Sequence, residues 1–179
     1  IQPYADSPMD DEQVGEEVYI SMINKAERYC WFMTPYLIIT DEMTHALCLA
    51  AKRGVDVRII TPGMPDKKLI YSITRSFYHG LVKNGVRIYE WTPGFCHAKM
   101  SVADDCMATC GTINLDYRSL YHHFENGCFM ADSQTVLDIR DDLGATMNEC
   151  REVTEKYRTG RSAYLRLGQL FMRLFAGLL

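Results

Sequence analysis

His97 and Lys99 stand two residues apart in the segment HAKMSVAD. Alternation along a strand would aim both side chains at one face. An imidazole can attack phosphorus directly, and an ammonium on the same face can neutralise non-bridging oxygens as charge builds in a transition state. After six residues beyond Asp104 the chain reads Gly-Thr-Ile-Asn, so the Thr112 hydroxyl and the Asn114 amide can return to the same pocket as uncharged donors. Asp104 itself would repel a phosphodiester, and its expected job is to order hydrogen bonds behind the strand. The other histidines, His45, His79, His122 and His123, open no second His-x-Lys pair, so one chain supplies one such imidazole. Tyr121, His122 and His123 read as pocket rim.

The elements that must position these groups alternate. Val14, Val18, Met22, Ile23 and Ala26 recur at helical spacing after an acidic start near Asp10, and YCWFMTPYLII reads as a buried strand stopped at Pro35. DEMTHALCLAAKRG is a helix with acids first, Lys52 and Arg53 last and Gly54 as its stop. VDVRIITPG is a strand, KKLIYSITRSFYHGLVKNG a long helix ending at Gly85, and VRIYEW a further strand. Such alternation favours βαβ crossovers. From Ala98 the runs AKMSVA, CMATC and CFMA read as antiparallel strands, and VLDIRDDLGATMNECREVTEKY as a last amphipathic core helix. The expected fold is α/β: a mixed β-sheet flanked by helices on both faces. Residues 1–10 read as a linker, 11–160 as the catalytic domain and 161–179 as a C-terminal amphipathic helix.

Composition narrows the possibilities. At 179 residues and 47% hydrophobic, the chain can bury one sizeable core. A net charge of -4 argues against a general nucleic-acid binder. Charge is uneven, with -6 in residues 1–20 and +4 in residues 151–179, so the basic end could face an anionic surface. The seven cysteines sit largely in apolar runs and read as small hydrophobes, since no second pair stands at zinc-ligand spacing; no metal is expected. No run of 18 apolar residues spans a membrane. The chain opens at Ile1 without methionine and so reads as a piece of something longer, whose remainder could hold a membrane anchor. At its other end Leu167, Leu170, Phe171, Leu174 and Leu178 recur at helical spacing among Arg166 and Arg173, which suits either a membrane interface or docking against protein.

Taken together, His-x-Lys-x4-Asp from His97 to Asp104 and the Gly-Thr-x-Asn of Gly111 to Asn114 resemble the signature of the phospholipase D superfamily, with Thr112 where serine is more usual. NLDYRS at Asn114 to Ser119 with the following Phe124-Glu125 pair, and the phrases TPYLIITDEM, AAKRGVDVRIITPG and GVRIYEWTPGFCHAK, are similar to those around the second of two such motifs in bacterial cardiolipin synthases. Cys96 departs from the bulky apolar residue common there.

The resemblance implies a phospholipase D-like half-domain and a cofactor-free, metal-independent ping-pong reaction. Two motifs would face each other across a pseudo-two-fold axis. One histidine forms a phosphohistidine, and the other protonates the leaving alkoxide and then deprotonates the acceptor alcohol. It implies donor and acceptor both phosphatidylglycerol, with glycerol leaving, and catalytic residues His97, Lys99, Asp104, Asn114 and Glu125, the last orienting the opposite histidine. Thr112 and Arg118 are expected to bind substrate, Arg118 through a forked contact with a lipid phosphate, with an ordinary structural salt bridge as the alternative for Arg118. The implied partners are an N-terminal half or a second copy of this chain, and a membrane surface, with no nucleic acid. The implied setting is the cytoplasmic side of the bacterial cell membrane. Hydrolysis of a phosphodiester by a phospholipase or nuclease, or a non-catalytic dimerising fragment, are the alternatives.

Overall fold

In the computed structural model, which describes residues 1–9 and 11–159, the chain forms ten strands and five α-helices among those residues. They run β1 (Gln2–Asp6), α1 (Val14–Lys25), β2 (Tyr29–Met33), β3 (Leu37–Ile38), α2 (Asp41–Lys52), β4 (Asp56–Pro62), α3 (Lys68–Lys83) and β5 (Arg87–Trp91). Then come β6 (Met100–Ala103), β7 (Met107–Gly111), β8 (Leu115–Asp116), one π-helical turn (Arg118–His122), β9 (Glu125–Ala131), α4 (Gln134–Asn148), β10 (Cys150–Glu152) and α5 (Thr154–Thr159). Eight strands form one sheet in the order β1-β9-β7-β6-β2-β4-β5-β10, and β3 pairs with β8 separately. Strands β2, β4 and β5 are parallel, as two helical crossovers require, while β6, β7 and β9 are antiparallel neighbours. The sheet is therefore mixed, as the change of pattern near Ala98 implies.

Both faces of the sheet are covered because its central strands are apolar on both sides. Phe32, Ile59 and Ile88 pack with Ile23 of α1, Leu47 of α2 and Leu81 of α3. Their chain neighbours Met33, Ile60 and Tyr89 join Val136, Ile139 and Leu143 of α4 on the opposite face. Local signals set the helix limits. The Thr40 hydroxyl accepts from Met43 N at 3.0 Å and caps α2. Gly54 and Gly85 end their helices at φ 96° and 102°, a conformation that costs glycine little.

Two expectations are corrected. The opening segment is no linker: Gln2–Asp6 pairs antiparallel with Glu125–Phe129 at the sheet edge, where a proline such as Pro3 is tolerated, and Asp6 is buried with an oxygen 2.7 Å from Gly15 N. The last helix does not run through to Tyr157. It stops at Asn148 because Cys150–Glu152 is taken up by the edge of β5, with Val153 N on Ile88 O at 2.9 Å and Ile88 N on Thr154 Oγ1 at 3.0 Å. The expected helix over 161–179 lies outside the described residues.

The turn after β6 ties the sheet together. Asp104, at φ 54°, accepts from Glu27 N (2.6 Å), Arg28 N (2.9 Å) and Tyr29 N (2.8 Å), so it holds the start of β2 beside the end of β6. Next to it, hydrogen bonds from Arg140, Tyr29 and Arg28 push the Asp105 carboxyl down to about 2. Asp104→Ala strands three donors at once and is expected to lower stability by about 2 kcal/mol, a partial value because the site is solvent-accessible. Urea denaturation checks it; an unchanged midpoint would remove Asp104 from the account of the fold.

Candidate active site

Residues 92–99 leave β5 and run without a ladder partner until Met100 starts β6. Gly111 N reaches Lys99 O at 3.3 Å, and this bond fixes the last position before the free segment. His97 lies two residues upstream, exposed beyond the end of the ladder, while Lys99 is buried. Their side chains nevertheless meet. Lys99 Nζ lies 2.9 Å from Nδ1 and 3.2 Å from Nε2 of the imidazole, and it donates to His97 O at 2.7 Å. Tyr36 and Phe95 flank the ring with centroids 6.3 and 5.8 Å away.

An open cavity of about 530 Å³ is lined by His97, Lys99, Thr112, Asn114 and Glu125 together. Its electrostatics follow from burial and neighbours. Desolvation, then the Lys99 ammonium, hold the His97 pKa below its ordinary value. The ring is therefore neutral at neutral pH and has a lone pair to use. Desolvation also lowers the Lys99 pKa, while the carboxylates of Glu125 and Asp116 oppose that shift.

Two of the expected donors are already engaged. The Thr112 hydroxyl donates to Glu125 Oε2, and it accepts from Asn126 N at 3.0 Å. The Asn114 amide nitrogen donates to Asp116 Oδ2 at 3.1 Å and Ser119 Oγ at 3.0 Å. What Asn114 leaves over is its Oδ1, a buried acceptor with no hydrogen-bond partner among the described residues. The expected donor is thus spent on a carboxylate and a hydroxyl, and of the amide only this buried oxygen is left without a partner among the described residues. Burial raises the Asp116 pKa against the bonds from Ser119 and Asn114.

Two expected residues lie elsewhere. Asp104 follows the far end of β6, roughly 16 Å of extended chain from Lys99. Arg118 opens into an adjoining cavity of about 400 Å³ that shares Asn114 and Glu125 with the first and also takes in Tyr36, Lys67, Asp116 and His123. Sequence reasoning left Lys67 as surface charge and passed over Asp116 and Ser119, although both lie inside the NLDYRS phrase.

Residues 19–147 match the family model described as the PLD-like domain of cardiolipin synthase. The chain belongs to this family. Among curated relatives, it is 50% identical over 177 residues to a Streptococcus mutans protein described as uncharacterized, 34% identical over 178 residues to a cardiolipin synthase of Clostridium perfringens, and 31% identical over 179 residues to one of Halalkalibacterium halodurans. At least 99% of this chain is covered each time, but only 36–38% of each relative. The domain thus spans little more than a third of the relatives it matches. Among solved structures, it resembles Nuc from Salmonella typhimurium, a phospholipase D family member, with a TM-score of 0.70 and 18% identity over 84% of this chain and 98% of that one. It also resembles a phosphatidylserine synthase from Haemophilus influenzae, at 0.71 and 15% over 99% of this chain and 45% of that one. These likenesses establish the phospholipase D-like α/β fold.

Among the described residues, no cluster of three or more His, Cys, Asp or Glu side chains could hold a metal ion, and no helix is long and apolar enough to cross a membrane. The cysteines described are free thiols, and burial pushes Cys96 up to about 11 and Cys150 to about 12. Such thiols pack rather than react.

Proposed function

We propose that this domain is the second-motif half of a phosphatidyltransferase that joins two phosphatidylglycerol molecules into cardiolipin and releases glycerol. The observation that carries the reading is the neutral His97 imidazole beside the Lys99 ammonium in one cavity with Asn114 and Glu125. Family membership selects a phosphodiester as the target of that pair.

A histidine of the first-motif half attacks the donor phosphorus, forming a phosphorus–nitrogen bond as the phosphorus–oxygen bond to glycerol breaks. His97 meets this step as the imidazolium and gives its extra proton to the departing glycerol oxygen, which leaves the ring neutral. The neutral imidazole then takes the hydroxyl proton of the second phosphatidylglycerol, whose oxygen displaces the histidine. Lys99 neutralises the phosphoryl oxygens throughout. Glu125, held by Thr112, faces the opposite half and orients its histidine, and Asp104 acts through the strand. The reaction proceeds at the cytoplasmic surface of a bacterial membrane, where both lipids are found together.

Nucleophile and acid must approach from opposite sides of the phosphorus, so one motif is half a site. Prepositioned groups reach effective molarities on the order of 10⁵ to 10⁸ M, which a lone chain forgoes. A second outcome has its own support, because His97 is exposed in the chain alone and water could replace the acceptor alcohol. Labelled phosphatidylglycerol incubated with the chain alone, and with the chain joined to a first-motif half, separates these. Cardiolipin and free glycerol are expected from the joined protein only. Phosphatidate in place of cardiolipin would make the domain hydrolytic, and cardiolipin from a strictly monomeric chain, in proportion to its concentration, would show that one motif suffices.

A further inference from the structure

The adjoining cavity holds cations that the chain does not use. Of the nine described arginines, seven pair with carboxylates and Arg53 donates to three backbone carbonyls. Arg118 differs: its Nε donates to His123 Nε2 at 2.8 Å, and its two terminal nitrogens have no partner among the described residues. That bond puts the His123 proton on Nδ1, facing Glu125 Oε1 at 3.9 Å, and steadies the guanidinium. The Lys67 ammonium, on the same cavity, likewise has no carboxylate within ion-pair distance among the described residues. The carboxylates there are satisfied from within. Asp116 accepts from Ser119 N at 2.7 Å and Glu125 from Thr112, and outside the lining Asp66 accepts from Tyr36 Oη at 2.5 Å and Lys67 N at 2.6 Å. An open guanidinium fork and a free ammonium on one cavity wall suit a phosphate.

This cavity meets the catalytic one along Asn114 and Glu125, which line both. A ligand with a hydroxyl in the catalytic cavity and a phosphate further in would reach the His97 imidazole and the free cations at once. An alcohol whose glycerol carries a phosphate has that form. We infer that Lys67 and Arg118 form the acceptor-phosphate subsite, so that the enzyme selects acceptor alcohols bearing a phosphodiester over neutral ones. The inference rests on the transfer reading above and adds to it the recognition of the second substrate.

Competition in one reaction tests it. The domain joined to its first-motif half receives phosphatidylglycerol donor in mixed micelles with labelled glycerol as a neutral competing acceptor. Two products are then counted: cardiolipin, made on a phosphate-bearing acceptor, and labelled phosphatidylglycerol, made by glycerol exchange. Arg118→Ala is expected to lower the ratio of cardiolipin to exchange product about tenfold, the scale of one charge-assisted contact. Lys67→Ala should lower it in the same direction, and Arg118→Lys should restore part of it. Both side chains are exposed, so folding is not at stake. An unchanged ratio, or an equal loss of both products, overturns the subsite alone. Absence of both products with the unaltered protein overturns the transfer reading and this inference with it.

Discussion

His97→Ala in the domain joined to its first-motif half is expected to cut cardiolipin formation by at least about 10² to 10⁴-fold, the range that positioned acid–base groups supply. The thermal midpoint should hardly move, because the side chain is exposed beyond the end of β6 and surface substitutions usually stay within about 0.5 kcal/mol. The pH dependence carries a sign as well. Deprotonating the acceptor needs the neutral ring, whose pKa desolvation and Lys99 hold below the usual histidine value. The acceptor step should therefore be constant near neutrality and fall as pH drops through that lowered value. Lys99→Met should move the titration of His97, followed by NMR, back upward, though not fully, since desolvation remains. Turnover retained in His97→Ala would end any chemical role for this residue.

Glu90→Ala is expected to have the largest effect on stability. Glu90 is fully buried on β5, and its two oxygens take Arg75 at 2.7 Å and Arg151 at 2.7 Å from α3 and β10. Removing one partner of a buried ion pair typically costs about 3 to 5 kcal/mol, because the remaining charges lose their compensation. Arg151 is more than half exposed and recovers water, so the lower end, about 3 kcal/mol, applies here. For a chain of this size that lowers the midpoint by roughly 6 to 12 °C. Calorimetry decides it, with Arg151→Ala as the milder companion; a Glu90→Ala midpoint within a degree of the parent would show that the network is neutral.

Much of the fold is legible because it is written locally. Lys52, Arg53 and Gly54 close α2 within its own sequence, and the change from helical to two-residue periodicity at Ala98 marks where the sheet turns antiparallel. What escapes is decided by distant partners. Cys150–Glu152 keeps the periodicity of the preceding helix, and only the open edge of β5 converts it to strand. Gln2–Asp6 carries a proline and no alternation, and only β9 makes it a strand. The site divides in the same way. His97, Lys99 and Asn114 belong to short spacings and line one cavity, although His97 lies outside the strand whose alternation suggested it. The use of the Asn114 amide by Asp116 and Ser119, and the adjoining cavity joining Lys67 to Arg118 and His123, depend on where α3 and the π-helical turn settle.

The pairing of β1 with β9 also sets a timetable. Pro3 faces Cys128, more than a hundred positions later, so the strand has no neighbour until most of the domain has been made. At roughly 5 to 20 residues per second, a ribosome takes on the order of ten seconds to deliver that neighbour. Closing so long a loop adds little equilibrium cost, because the entropy grows only with the logarithm of length, but such distant contacts are slow to form. Meanwhile β2, α2, β4, α3 and β5 can assemble from adjacent segments. The growing polypeptide therefore carries an unpaired strand beside a sheet still open on the face that α4 will cover, and during those seconds β1 is the place where an unwanted neighbour could attach.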